Sequence, residues 1–465
     1  MKQIRLRACI MVILAICFSI GMAIFGGNYV ISGKYWALYP ANAHIYNNGT
    51  IEKAGVITDR DGVVLAQTTD GIRQYSSDER VRRATLHTVG DFGGFIKTGL
   101  HSAYIDKLTD FNLIDGVYSF TPQGNDIAIT LDSDICVDAL EALGDRNGTI
   151  GVYNYKTGEV LCMVSTPTYD PNDEEEVEKA KSGEYSGVFL NKFLSGTFTP
   201  GSTFKIVTAA AAIDTFDDAY TREYTCKYYG KDGGVGGVEI DNELVTCLGC
   251  HGTLTLKDAL AKSCNSYFSQ LAADLGEDVL TKYAEKAGFN KEFALDGIKA
   301  KTSYFDVTGG KDIDFAWAGM GQYTDMMNPL QYLTFMGAIA NEGVAQKPYL
   351  IESITSPSGL PLKFTKGGKT GRMLETDTAN AVKELMSNNV LKTYGSYNFP
   401  GLNVCAKSGT AEIEGEKPHS VFVGFNDQEE LPLAFVVLIE HGGSGAKYAG
   451  RVANTVLQSA KKNLE

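Results

Sequence analysis

The chain has 465 residues, of which 44% are hydrophobic and 21% are charged, a composition typical of a folded chain rather than a disordered one. Its formal net charge of −14 disfavours a nucleic-acid binder, because contact with phosphates requires a basic surface. The length predicts a large domain together with a smaller one.

The amino terminus combines basic residues with an apolar stretch. Lys2, Arg5 and Arg7 precede an uninterrupted run of apolar or small residues over 8–25, which is about the length that spans a bilayer core. A cleaved signal peptide shares this pattern, but the run is long for one and no clear cleavage site follows it. We therefore predict a retained transmembrane anchor in 1–26, with its amino terminus in the cytoplasm and the rest of the chain outside the cytoplasmic membrane.

The next hundred residues, 27–125, are polar and glycine-bearing, with little helical periodicity. Residues 54–60 alternate like a strand, reach a turn at Asp61 and Gly62, and continue through 63–65. We predict a small, sheet-containing pedestal domain.

The pattern changes at residue 126. A strand over 126–132 leads into a helix over 133–145, and a hairpin over 148–165 turns at 156–158. This change opens a second domain, predicted to span 126–465.

The remainder of this domain begins with an acidic stretch, 173–178, which we interpret as a loop leading into a helix. Helices are then predicted over 198–214, 254–276, 328–343 and 449–463, and strands over 402–412, 419–426 and 431–441. This order predicts an α/β (α+β) domain in which a helical subdomain faces a central antiparallel sheet.

Three short motifs could carry acyl transfer by a serine. The first is Ser202-Thr203-Phe204-Lys205, S-x-x-K, in which one helical turn would bring the lysine amine against the serine oxygen. By itself the motif is weak, since Ser459 to Lys462 repeats it in a helix that we interpret as a solvated face.

The second motif is Ser263-Cys264-Asn265, S-x-N, which could relay a proton and hold a substrate amide. Copies of S-x-N beginning at Ser387 and Ser396 lie in polar surroundings, whereas Ser263 lies between two apolar runs, where a polar side chain needs a partner.

The third motif is Lys407-Ser408-Gly409-Thr410, K-[ST]-G, on a predicted strand. Gly409 would let substrate approach the backbone, and the N–H groups of Thr410 and Ser202 could form an oxyanion hole. The literal K-T-G copies at 97, 156 and 369 precede the serine or lack a strand pattern.

With these motifs the sequence resembles the class B penicillin-binding proteins, which are monofunctional peptidoglycan D,D-transpeptidases. The segments GVITDRDG (55–62), STPTYDPN (165–172), TPGSTFK (199–205), GMGQ (319–322) and CAKSGTAE (405–412) follow in family order. Ala54 stands where the family's first arginine is usual, and His101 stands where relatives often carry glutamate.

The resemblance implies that Ser202 attacks a stem peptide, releases D-Ala and passes the acyl group to an amine, with D,D-carboxypeptidase activity as a side reaction. Lys205 would be the base and Ser263 the proton relay. The other motif residues would bind substrate: Asn265, Lys407, Ser408, Gly409 and Thr410. β-Lactam antibiotics would acylate Ser202, and a polytopic glycan polymerase would be a membrane partner. Roles in elongation, division or sporulation stay open.

Two rival functions share the S-x-x-K motif. A serine β-lactamase would need a deacylating water, and no E-x-x-L-N follows Ser263 before Lys407. A β-lactam sensor would carry several membrane helices. One anchor together with S-x-N favours the transpeptidase.

We assign no metal ligand and no cofactor. Cys247, Cys250 and His251, with Cys226 upstream, could bind zinc. Because a second paired C-x-x-C is missing, a disulfide of Cys226 or free thiols is favoured. Cys264 is interpreted as a small core residue.

Overall fold

The fold is taken from a computed structural model. It describes residues 2–39, 46–47, 50–111, 114, 116, 123–230, 234–365 and 367–464.

The amino-terminal helix α1 (Lys2–Ala37) is longer than the predicted anchor. Its segment Lys2–Lys34 has a mean hydropathy of 2.7 in the most apolar window, none of which is buried in the protein. Gly26 and Gly27 lie inside the helix rather than ending it. By length and composition, a helix this long and apolar can cross a bilayer, which agrees with the predicted anchor.

The part of the chain from residue 46 to 147 forms short strands and helices. In chain order they are β1 (Tyr46–Asn47), β2 (Thr50–Ile51), β3 (Ile57–Thr58), β4 (Val64–Thr69), β5 (Ile72–Tyr75), α2 (Glu79–Val89), α3 (Leu100–Ala103), α4 (Ile105–Leu108), β6 (Asp126–Ile129) and α5 (Ser133–Leu143). The strands predicted around 57, 64 and 126 and the helix after 132 agree with these elements.

The middle of the chain combines strands and helices. Its elements are β7 (Gly148–Asn154), β8 (Val160–Thr166), α6 (Glu174–Ser182), α7 (Lys192–Ser195), α8 (Lys205–Thr215), β9 (Tyr224–Tyr229), β10 (Val235–Ile240), β11 (Glu243–Cys247), β12 (Gly252–Leu254), α9 (Leu256–Ala261) and α10 (Asn265–Lys286). The acidic stretch begins α6 instead of preceding it: the Asp173 side chain caps the helix by accepting from the N–H groups of Glu175 and Glu176.

The last part returns to strands. It contains β13 (Ala294–Leu295), β14 (Ile298–Lys299), α11 (Asp312–Ala318), α12 (Pro329–Ala340), β15 (Gln346–Lys347), β16 (Ile351–Thr355), β17 (Pro361–Phe364), β18 (Gly368–Lys369), α13 (Thr376–Asn389), β19 (Val404–Ile413), β20 (Glu416–Asn426), β21 (Leu433–Ile439) and α14 (Ala449–Leu464).

The central sheet confirms the predicted antiparallel arrangement. Its five strands lie in the order β19-β20-β21-β7-β8, and every neighbouring pair is antiparallel. All residues of β21 are buried, so both faces are covered. Helices α5 and α14 pack on each other and on the sheet, and α12 packs against β7, β20 and β21. Strand β19, which carries the third motif, lies at the edge of the sheet.

A second sheet joins distant parts of the chain. Its six strands lie in the order β17-β16-β6-β3-β4-β5, so β16 pairs with β6, which precedes it by more than 200 residues, and β17 pairs with β16. The sheet therefore crosses the predicted boundary between residues 125 and 126, and that boundary stays a prediction.

Candidate active site

The first motif lies in a tight turn directly before α8. Ser202 occupies a 3-10 turn, Gly201–Thr203, and its side chain is partly exposed. Lys205 is the first residue of α8 and is completely buried. The serine therefore lies in the turn that leads into α8, which begins later than the predicted helix over 198–214, and the lysine lies one turn further and away from solvent.

The strand that carries the third motif packs closely against this turn. A Cβ on Gly409 would lie 2.7 Å from the Pro200 carbonyl oxygen and 3.0 Å from Thr203 Cγ2. Because Gly409 has no side chain, the turn that carries Ser202 can pack directly against β19. On the other side, the Gly201 N–H donates to the Gly321 oxygen at 3.0 Å, which ties the GMGQ segment to the turn.

The second motif breaks a helix that was predicted to be continuous over 254–276. Helix α9 ends at Ala261, α10 begins at Asn265, and Ser263 has a φ of +53°. The continuous prediction was wrong because apolar residues keep helical spacing on both sides of a left-handed residue that is neither glycine nor asparagine. The break turns the Ser263 side chain toward the two motif lysines.

The hydroxyl of Ser263 lies between two lysine side chains. Lys407 Nζ donates to Ser263 Oγ at 2.9 Å and to the Ser408 carbonyl oxygen at 2.8 Å. Lys205 Nζ donates to Asn265 Oδ1 at 2.6 Å, to the Ser263 carbonyl oxygen at 2.9 Å and to Ser263 Oγ at 3.5 Å. All three motifs therefore meet at Ser263.

Burial disfavours a charge on both lysines. Burial lowers the pKa of Lys205 to about 8, and burial together with the charge of Lys205 lowers the pKa of Lys407 well below its usual range. Burial alone lowers the pKa of Lys205, whereas repulsion by Lys205 adds to the effect of burial on the pKa of Lys407. Because the pKa of Lys205 lies near neutrality, its amine can accept and release a proton.

Ser408 has a partner that sequence reasoning missed. Its N–H donates to the Tyr394 hydroxyl at 2.8 Å, and its Oγ lies 3.0 Å from the same atom. Tyr394 follows α13 in a polar segment without any motif, so no sequence signal marked it. Thr410 is exposed, and its Oγ1 accepts from the Gly445 N–H at 3.4 Å. Two further groups therefore position the third motif.

The motif copies lie elsewhere. Ser459 is buried in α14 and donates to Asp138 Oδ2 at 2.5 Å, so interpreting that copy as a solvated face was wrong for its serine. Lys369 is exposed and ends the two-residue strand β18, which pairs with β15. Neither has the contacts that join Lys205, Ser263 and Lys407.

Comparisons with known proteins agree on one family. The family model described as the penicillin-binding protein transpeptidase domain matches residues 148–459. The peptidoglycan D,D-transpeptidase PbpA of Mycolicibacterium smegmatis is 27% identical over 442 residues, covering 88% of each chain. Penicillin-binding protein 3 of Bacillus subtilis is 27% identical and covers 87% of this chain and 61% of its own length.

Solved structures show the same fold. The D,D-transpeptidase domain of a peptidoglycan glycosyltransferase from Eggerthella lenta superposes with a TM-score of 0.76 at 29% identity, covering 89% of this chain and 99% of that one. An acyl-enzyme complex of penicillin-binding protein A from M. tuberculosis gives a TM-score of 0.75 at 23% identity, covering 88% and 98%. At that identity the second likeness establishes the fold.

Proposed function

Because the chain belongs to the penicillin-binding protein transpeptidase family, we propose that Ser202 is the nucleophile through which it cross-links peptidoglycan stem peptides. The chain is a serine D,D-transpeptidase, like the relatives it matches. The observation that carries the assignment of residues is the meeting of Lys205, Ser263 and Lys407 at the start of α8, the helix that follows the Ser202 turn.

The acyl-enzyme forms by addition of the serine to the carbonyl, followed by elimination of D-Ala. Ser202 Oγ attacks the carbonyl carbon of the penultimate D-Ala, and its proton passes to the amine of Lys205. The tetrahedral intermediate collapses by breaking the peptide bond, and the departing nitrogen of the terminal D-Ala takes up a proton through the Ser263 hydroxyl. An amine of a second stem peptide then attacks the ester, which restores Ser202 and forms the cross-link.

The edge strand supplies the substrate contacts. An edge strand leaves alternate backbone N–H and C=O groups unpaired, so an extended peptide can lie along β19. We assign the terminal carboxylate to Lys407, Ser408 and Thr410, and the developing oxyanion to the N–H groups of Ser202 and Thr410. Asn265 is assigned to a substrate amide; in this state its side chain accepts from Lys205 and donates to the Thr246 oxygen at 2.9 Å.

β-Lactams would acylate the same serine. The ring carbonyl of such a drug takes the place of the D-Ala carbonyl, and opening of the ring leaves an ester on Ser202. A buried lysine that serves acylation does not by itself activate a deacylating water, so the adduct is expected to persist. A β-lactamase would instead release it rapidly.

The membrane orientation follows from the basic residues at the start of α1. Lys2, Arg5 and Arg7 favour a cytoplasmic amino terminus, which places the transpeptidase domain outside the membrane, where cross-linking occurs. We further propose that a polytopic glycan polymerase in the same membrane supplies the nascent strands.

The test uses the full chain in detergent with a stem peptide ending in D-Ala-D-Ala and an amine acceptor. Release of D-Ala and formation of the cross-linked product are measured by mass spectrometry. We expect Ser202→Ala to abolish both and Lys369→Ala, which changes the exposed K-T-G copy, to leave both unchanged. Release of D-Ala by Ser202→Ala at the rate of the unmodified chain would overturn the proposal.

A further inference from the structure

Four metal-ligating side chains meet beside the S-x-N motif. The Sγ atoms of Cys226, Cys247 and Cys264 and a ring nitrogen of His251 all lie within 4.8 Å of one another. Cys247 Sγ is 3.4 Å from His251 Nδ1 and 3.9 Å from Cys264 Sγ. With zinc bond lengths of about 2.3 Å to sulfur and about 2.0 Å to nitrogen, tetrahedral ligand atoms lie about 3.5–3.8 Å apart. The cluster needs little movement to hold such an ion.

The ligands come from four separate elements. Cys226 lies in β9, Cys247 ends β11, His251 precedes β12, and Cys264 is the N-cap residue of α10. The three cysteines are buried, and His251 is partly exposed. Three thiolates and one imidazole form a closed tetrahedral set without a position for substrate, as in structural zinc sites.

The structure selects a different fourth ligand from the one that the C-x-x-C pattern suggests. Cys250 is exposed, and its Sγ donates to the Cys226 carbonyl oxygen at 3.4 Å rather than joining the cluster. Cys264, which was interpreted from the sequence as a core residue, supplies the fourth ligand instead. Spacing along the chain could not reveal this, because Cys264 reaches the cluster only through the break between α9 and α10.

We propose that Cys226, Cys247, His251 and Cys264 bind one zinc ion, which holds the S-x-N motif in place. Cys264 lies between Ser263 and Asn265 in the chain. The Asn265 N–H donates to Cys247 Sγ at 3.3 Å, and Ser266 Oγ donates to Cys226 Sγ at 3.3 Å. The ion would therefore tie the first turn of α10 to β9 and β11, and these ligands act as positioning residues rather than catalytic ones.

A disulfide is the rival use of the same atoms. Cys247 and Cys264 would have to bring their sulfurs from 3.9 Å to about 2.05 Å, and the bond would remove two of the four ligands. Metal binding and this disulfide therefore exclude each other, which makes them distinguishable by mass and metal content.

The first test measures zinc in the full chain, purified in detergent under mild reduction without chelator. We expect one zinc per chain, and on cobalt replacement the visible bands of a tetrahedral thiolate site. Cys264→Ser and Cys226→Ser should lose the metal, whereas Cys250→Ser, the matched control in the same loop, should keep it. His251→Cys should retain the ion with a changed cobalt spectrum, which guards against loss through misfolding alone.

Three results would overturn the site. One is an unmodified chain that takes up neither zinc nor cobalt. The second is loss of metal in Cys250→Ser with retention in Cys264→Ser. The third is a chain whose intact mass and peptide map show Cys247 joined to Cys264.

The positioning role rests on the proposed function and has its own test. Removing zinc with a chelator should slow labelling by a fluorescent penicillin about 10- to 100-fold, and added zinc should restore it. Unchanged labelling of the metal-free chain would overturn the positioning role while metal content still supports the site. A zinc-loaded chain that penicillin does not label would count against the role of Ser202 instead.

Discussion

Two regions of the molecule bury a cation among neutral partners, and they use different side chains to do so. In the amino-terminal region, Arg73 of β5 is 2% exposed, and its guanidinium donates to the Gly55 oxygen at 2.6 Å and to His101 Nε2 at 3.1 Å. In the candidate active site, Lys205 is fully buried and donates to Ser263 and Asn265.

The imidazole of His101 explains how the arginine is tolerated. Its Nε2 accepts from Arg73, so its Nδ1 carries the hydrogen that it donates to the Gly90 oxygen at 2.8 Å. The ring is therefore neutral, and burial followed by the charge of Arg73 lowers the pKa of His101 to about 3. His101 therefore contacts Arg73 as a neutral hydrogen-bond acceptor.

The difference between the two regions lies in what the cation can do. Burial lowers the pKa of Arg73 to about 10, which still leaves it protonated at neutral pH, so it can only hold backbone carbonyls together. Lys205, with a pKa of about 8, can lose its proton. An arginine therefore suits the position of residue 73, where the side chain only stabilises the fold. A lysine suits position 205, where the side chain must take up and release a proton.

Exchanging the side chains should have the largest effect. Lys205→Arg is expected to slow acylation by fluorescent penicillin by about 10²- to 10⁴-fold, because a guanidinium cannot serve as the base. The matched control, Arg73→Lys, should be acylated at the rate of the unmodified chain. Time-resolved labelling gives the rates, and thermal unfolding reports whether each variant is folded. If Lys205→Arg is labelled as fast as the unmodified chain, Lys205 does not act as the base, and its role does not differ from that of Arg73.

Removing the hydroxyl shared by the two lysines should have the next largest effect. Ser263→Ala is expected to lower the acylation rate by about 10²-fold, because the path for the proton and a contact of Lys407 are lost together. Ser387→Ala, in one of the S-x-N copies, serves as the control and should label normally. Equal rates in both variants would mean that Ser263 does not relay the proton.

Loss of the buried arginine should affect stability alone. Arg73→Met is expected to lower the free energy of unfolding by about 1–3 kcal/mol, because the carbonyls of Ala54 and Gly55 lose their donor. Denaturant unfolding of the full chain in detergent measures this change. The folded fraction should still be labelled at the normal rate, and a slowed rate would show that the two regions are coupled.

The last prediction concerns the dependence of stability on pH. Burial lowers the pKa of His87 to about 4 and that of His101 to about 3, whereas an unfolded histidine titrates near 6.5. Between these values the unfolded state binds more protons, so stability is fully present above about pH 6.5 and is lost as the pH falls. Each histidine contributes a slope of at most about 1.4 kcal/mol per pH unit. His101→Gln should flatten the dependence of the denaturation midpoint on pH, and an unchanged slope would contradict the neutral, buried imidazole.

Much of this organisation could be predicted from the sequence, because local patterns determine individual elements. Alternating apolar residues indicated the strands of the central sheet, and helical spacing indicated α12 and α14. Ser202 was identified by the predicted helix that carries its motif, Ser263 by the apolar runs on both sides of it, and Lys407 by the strand pattern around it. Their joint arrangement is a tertiary property that no single motif encodes, and the roles of these residues stay predictions.

What could not be predicted depends on contacts between distant segments. The left-handed Ser263 interrupts a helix whose apolar pattern continues unchanged, and only the surrounding packing selects that conformation. Tyr394 reaches Ser408 from a segment without a pattern. The pairing of β16 with β6 joins strands that no local signal connects.

The most direct test of the central claim locates a penicillin adduct. The full chain and Ser202→Ala are incubated with the drug, and intact mass and peptide mapping are followed with time. We expect a lasting adduct of one drug per chain on Ser202, absent from the variant. An adduct on another residue, an adduct that persists in Ser202→Ala, or rapid release with hydrolysed drug would contradict it.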